Sequence, residues 1–119
     1  MKHKIRQRTL GRTATKRLAL MRNMSGDLLR HGQIVTTAGR AKELRRFLEP
    51  LITAARGKST LAQQRRLRSV LLTGRNVFNL MERADKTAKR PGGYLRLHKL
   101  GKRQGDGAPR IKVSFTDQE

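Results

Sequence analysis

Thr36-Thr37-Ala38-Gly39-Arg40-Ala41-Lys42-Glu43-Leu44-Arg45-Arg46-Phe47-Leu48 reads as the point where a short strand runs into a long helix. The strand side, Ile34-Val35-Thr36-Thr37, is rich in β-branched residues that suit a pleated surface. Thr37 is the expected N-cap, with a hydroxyl able to accept from a helix N–H that has no intrahelical partner. Beyond it, Ala41, Leu44, Leu48, Ile52 and Ala55 recur at helical spacing, and Phe47 and Leu51 widen the stripe. Lys42 and Arg46 project away from it. One element therefore offers an apolar face to a core and a cationic face to the outside.

Upstream, residues 13–31 read as an amphipathic helix with Thr13 as its cap and Gly32 as its C-terminal stop. Ala14, Leu18, Met21, Leu28 and Leu29 share a face with Ser25, flanked by Leu20 and Met24, while Lys16, Arg17 and Arg22 lie on or beside the polar side. Downstream, the central helix runs over 38–56, with Pro50 expected to kink or restart it and Gly57 to end it. Ser59 is the expected cap of a third helix over about 60–71, carrying Leu61, Leu67, Val70 and Leu71. Thr73 caps a fourth over about 74–85, with Val77, Phe78, Leu80, Met81 and Ala84 as its apolar set. Pro91, Gly92 and Gly93 then break any helix.

The period changes to two near the end. Leu95 and Leu97 oppose Tyr94, Arg96 and His98; Ile111, Val113 and Phe115 oppose Arg110, Lys112 and Ser114. Between these strands, Asp106 lies among glycines as a turn residue. The pattern predicts an α+β fold of order α-β-α-α-α-β-β in two layers. A small three-stranded mixed sheet would be covered by helices on one face and leave a cationic face open. Residues 13–116 form the expected single domain, residues 1–12 a basic arm ordered on RNA, and 117–119 a short tail.

Charge dominates everything else. Twenty-nine Lys and Arg against eight Asp and Glu give a net charge of +21 over 119 residues. A folded chain with that charge repels itself and gains most from a polyanion, for which nucleic acid is the first candidate and an anionic membrane the weaker one. Arg outnumbers Lys, 19 to 10, which suits bidentate phosphate contacts. No cysteine is present, so neither a disulfide framework nor a thiolate metal site is expected. His3, His31 and His98 fall in three different elements, which argues against a histidine metal site. No apolar run approaches the roughly 20 residues of a membrane span. The basic start has no apolar segment of the secretory kind, although its composition also fits an organelle transit peptide. Gly57-Lys58-Ser59-Thr60 mimics the end of a phosphate-binding loop, but Ile52 stands where that loop needs glycine, and a helix precedes it. No nucleophile–base set is evident, so the chain reads as non-enzymatic, with no cofactor. Phe47, Phe78 and Phe115 are assigned to apolar faces, which leaves no aromatic platform for bases; phosphate and shape contacts fit better. Tyr94 remains open between core edge and RNA contact.

Several stretches together resemble one family. They are Ile34-Val-Thr-Thr-Ala-Gly-Arg-Ala-Lys-Glu-Leu-Arg-Arg46, Glu49-Pro-Leu-Ile-Thr53, Arg90-Pro-Gly-Gly-Tyr-Leu-Arg96 and Gly105-Asp-Gly-Ala-Pro109. With the opening Met1-Lys2-His3 and Arg17…Arg22-Asn23-Met24, the whole chain resembles the bacterial large-subunit ribosomal protein L-seventeen family. Departures are Gln7 and Gly11 in the arm and Leu95 after the Gly-Gly-Tyr corner. The resemblance implies a structural constituent of the large ribosomal subunit, cytoplasmic and not a stable homo-oligomer. It would bind 23S-type ribosomal RNA near the exit of the peptide tunnel, beside other ribosomal proteins, with no membrane or small-molecule partner. The residues and the resemblance together put RNA on Lys2, His3, Lys4, Arg6, Arg8, Arg12, Lys16, Arg17, Arg22, Arg40, Lys42, Arg46, Arg90, Gly92, Gly93, Tyr94 and Arg96. The alternative function is a DNA-compacting nucleoid protein. Deleting residues 1–12 is expected to weaken RNA binding and leave melting unchanged.

Overall fold

A computed structural model describes residues 8–57 and 60–116. The strand-to-helix junction forms where the sequence places it, with β1 (Gln33–Thr37) leading directly into α2 (Ala38–Ala54). Around it lie α1 (Ala14–His31), α3 (Leu61–Leu71), α4 (Gly74–Lys86), β2 (Leu95–Lys102) and β3 (Pro109–Phe115), in the expected α+β order.

The last strand is the central one: the sheet order is β1-β3-β2, and both pairings are antiparallel. A mixed sheet is therefore not what forms. The loop of residues 103–108 joins β2 to β3 and is too short for a parallel crossover, so that pair is antiparallel, and β3 runs against β1 as well. Ile34, Val113 and Leu97 align across the three strands, and Leu95 faces Phe115. These side chains meet Leu28 of α1, Leu44, Leu48 and Ile52 of α2, and Leu80 of α4 in one buried cluster. The opposite face aligns Val35, Lys112 and His98, with Gln33, Ser114 and Arg96 in the adjoining row.

The helix ends partly follow expectation. Gly32 stops α1 in the left-handed conformation at φ 85°, which glycine adopts without a Cβ penalty. Thr13 and Thr37 occupy their N-cap positions in extended backbone, but neither hydroxyl makes a capping bond. The cap of α3 is Thr60, in a reciprocal capping box with Gln63 at 3.1 and 3.4 Å; Ser59 lies outside the described residues. Thr73 accepts from Asn76 N at 3.3 Å, as the sequence predicts. Helix α2 passes through Pro50 as one element and ends at Ala54, before Gly57. Pro50 is exposed, where its ring and missing donor are best tolerated.

Four apolar assignments are overturned, Ala14 among them because it is exposed. Leu18 is 40% exposed, and Leu61 and Phe78 are each 62% exposed. The core side of α1 is its second half, where Met21, Met24, Leu28 and Leu29 are buried; Ala14 and Leu18 lie beyond the sheet's cover. The final loop is also shorter than expected, because β2 continues through a bulge at Lys99/Gly101 to Lys102.

Ser25 is fully buried, and its hydroxyl has no hydrogen-bond partner among the described residues. Burying an unsatisfied hydroxyl costs about 1–3 kcal/mol. Ser25→Ala is therefore expected to raise the unfolding free energy by about 1 kcal/mol, seen as a higher midpoint in urea. A lower midpoint would show that the hydroxyl has a role the contacts do not reveal.

Candidate nucleic-acid interface

The described end of the arm is tied to α2. Arg12 N donates to Thr9 O at 3.0 Å across a turn in which Leu10 and Gly11 both have positive φ, 55° and 66°. Gly11 suits that turn because it has no Cβ to strain. Leu10 packs on the core edge beside Gly39. Arg8 Nη1 then donates to Glu43 Oε1 at 3.0 Å, and Arg46 Nη1 donates to the same oxygen at 3.2 Å. Glu43 is buried, so one carboxylate gathers two guanidiniums that each remain about half exposed. Arg17 Nη1 donates to Arg12 O at 3.2 Å. Arg8, Arg17 and Arg46 consequently line one cleft. Arg12, Lys16 and Lys42 are exposed nearby in sequence, and Arg40 is half-buried at the start of α2.

Arg22, expected on the RNA side, makes a bond within the fold. It is half-buried, and its Nε donates to Val70 O, linking α1 to the end of α3. That bond braces α1 against α3. Lys2, His3, Lys4 and Arg6 lie outside the described residues.

The second expected cluster is the corner Arg90–Arg96. Arg90 and Arg96 are exposed, and a Cβ on Gly92 or Gly93 would meet nothing within 4 Å, so the backbone here is open to close approach. Gly93, at φ 63°, also needs its conformational freedom. Tyr94 belongs to the core instead, at 1% exposure. Its hydroxyl shares a hydrogen bond with Thr53 Oγ1 at 3.1 Å and accepts from Arg56 Nη1 at 2.9 Å. Arg56 also donates to Ala88 O, and Glu49 Oε1 accepts from Leu95 N at 3.3 Å. The corner is thus clamped to the end of α2, and Tyr94 positions it without presenting a ring to a ligand. Tyr94→Phe is expected to cost about 1–2 kcal/mol in thermal unfolding, since two polar groups lose a partner. RNA affinity at saturating folded protein should hardly change; a large affinity loss would return the hydroxyl to the contact surface.

The third cationic surface is the open face of the sheet, where Arg96 and His98 of β2 lie beside Lys112 and Arg110 of β3. Period-two spacing makes this face legible from the sequence, although Arg110 and Lys112 carry no family motif. Arg56 had no such signal: nothing near it indicates that it clamps a tyrosine 38 residues away.

At the tip of the hairpin, Arg103 and Asp106 form an ion pair, and Asp106 Oδ1 accepts from Ala108 N at 3.1 Å. The Arg103 hydrogen bond, then that backbone bond, hold the Asp106 carboxyl well below the usual carboxylate range. A depressed carboxylate contributes to the turn above its unfolded pKa and loses that contribution only as pH falls through the folded value. The Asp106 carboxyl carbon should therefore show no protonation shift in an NMR titration down to about pH 3. A midpoint near the usual aspartate value would mean that the pair does not persist in solution.

Residues 20–116 match the family described as Ribosomal protein L17. The chain belongs to the L17 family. A relative from Novosphingobium aromaticivorans, described as large ribosomal subunit protein bL17, is 42% identical over 120 residues, covering 100% of this chain and 84% of that protein. In this L17 chain the family-like stretches are spatially meaningful: one builds the β1–α2 junction, and another the open glycine corner clamped against α2. The L17 match begins at residue 20, after the arm's turn and Arg8, and it includes Glu43, to which Arg8 is paired.

Proposed function

We propose that this protein is a non-catalytic constituent of the large ribosomal subunit that binds large-subunit ribosomal RNA close to the peptide exit. The arm of residues 1–12 and the domain of 13–116 act together, the domain holding cations in fixed positions while the arm follows the RNA. The observation carrying this reading is the family membership of a chain whose cations occupy three outward surfaces of a thin core. The related bL17 is named for the large subunit, and the charge supports a polyanionic partner. Contacts are assigned to Lys2, His3, Lys4, Arg6, Arg8, Arg12, Lys16, Arg17, Arg40, Lys42, Arg46, Arg90, Gly92, Gly93 and Arg96. Arg22 and Tyr94 are placed behind that surface as supports. Its location is the cytoplasm, within ribosomes, beside other large-subunit proteins.

Sedimentation tests the reading. A tagged full chain expressed in bacterial cells should migrate with large subunits and stay there through a high-salt wash. Migration with chromosomal DNA, or release into the free fraction together with equal affinity for any duplex DNA, would support nucleoid compaction instead.

A further inference from the structure

Between the described end of the arm, the first half of α1 and the middle of α2 lies an open cleft of about 560 Å³. Leu10, Leu18, Phe47 and Leu51 form its apolar walls, and Arg8, Arg17 and Arg46 stand around it. Glu43 is the one carboxylate among its described lining residues, and it already accepts from Arg8 and Arg46. The cleft therefore joins greasy walls to a rim of net positive charge. Leu18 projects there at 40% exposure, on a helix whose other large apolar residues are mostly buried or half-buried.

Charge chooses among possible occupants. Three guanidiniums against one committed carboxylate repel a second copy of a +21 chain or any basic peptide. They favour an anion that also carries a flat apolar group. A nucleotide has both parts: phosphates for the guanidinium forks, and a base for the walls. The volume lies within the roughly 300–1,000 Å³ typical of small-ligand sites. Arg17 is steadied at the rim by its bond to Arg12 O, which reduces the ordering cost of a phosphate contact.

Building on the ribosomal RNA reading, we propose that this cleft receives one unstacked base of the large-subunit RNA between Leu18 and Phe47. The flanking phosphates lie on Arg17 and Arg46. This adds base insertion to the phosphate and shape contacts that the sequence alone suggests.

The test uses the full chain and a transcript of large-subunit ribosomal RNA, with duplex DNA as competitor. Leu18→Ser alters a side chain that is 40% exposed, so its melting temperature should fall by only a few degrees, while its affinity for the transcript, measured where both proteins are folded, falls about tenfold with an unchanged salt slope. Arg17→Ala should flatten that slope by about one. Ultraviolet cross-linking of the unaltered chain reads the site without any variant, and a nucleotide adduct is expected on the peptide containing Leu18 or Phe47. Wild-type affinity in Leu18→Ser, with no adduct in either peptide, would overturn the cleft while leaving RNA binding intact. A cross-link in whole subunits from these peptides to another protein would also overturn it, making the cleft a protein contact. If the unaltered chain does not prefer the transcript to duplex DNA, the proposal and the reading beneath it both fail.

Discussion

Removing residues 1–12 should weaken binding to large-subunit RNA on the order of tenfold to a hundredfold at physiological salt, and flatten the salt dependence by about 3. Lys2, Lys4, Arg6 and Arg12 go with the segment, along with Arg8. Each lost phosphate contact removes about 0.7–0.9 from the logarithmic slope, and Arg8 counts for less because Glu43 already engages it. The structure changes the expectation for stability. Arg8 bridges to buried Glu43 and Leu10 packs on the core edge, so this deletion should also cost about 1–2 kcal/mol in melting experiments. Deleting only residues 1–7 spares both contacts and separates the two effects. If the longer deletion melts like the full chain, the arm's hold on α2 is unimportant. If it binds RNA like the full chain across a salt series, the arm is not an RNA contact.

The second large effect lies in the core. Phe115→Ala is expected to cost about 3–5 kcal/mol, a large share of the stability of a 119-residue chain. Phe115 has no exposure, faces Leu95 across the sheet, and lies under the Arg83 guanidinium at 4.7 Å from its ring centre. Truncation removes the ring's packing and its cation–π contact together. Urea unfolding at fixed salt measures the loss, and adding the RNA transcript should restore part of the midpoint, because a ligand of the native state alone raises apparent stability. An unfolding free energy within about 1 kcal/mol of wild type would mean that the sheet's inner face repacks easily.

The elements were legible because each announces its own period. The β1–α2 junction, the stop at Gly32 and the Thr73 cap follow from local residue chemistry, which tertiary packing leaves in place. Sheet direction was not legible, because no local signal says that the final strand takes the middle position. Leu18 and Phe78 show the other limit. Helical spacing marks a stripe but not how far the neighbouring layer extends, and both residues are exposed despite their spacing. At the candidate interface, exposed cations such as Arg12, Lys16 and Lys42 could be read from charge and periodicity. The inward roles of Arg22 and Tyr94 depend on partners 48 and 41 residues away. Composition assigns Arg22 to the surface and leaves Tyr94 open; only the fold reveals that one braces two helices and the other pins a corner.

Among the described residues, the sheet's two outer strands, β1 and β2, have one neighbour each. Such borders invite strands from other molecules to join them. Here β1 has five residues, while β2 carries Arg96, Lys99 and Lys102 and a bulge near its end. Like charge therefore keeps separate molecules from zipping together edge to edge, and that protection lasts only while the charge is uncompensated. A substoichiometric, poorly matched polyanion would neutralise the borders without covering them. Clumping should then peak near charge balance and dissolve when either component is in excess.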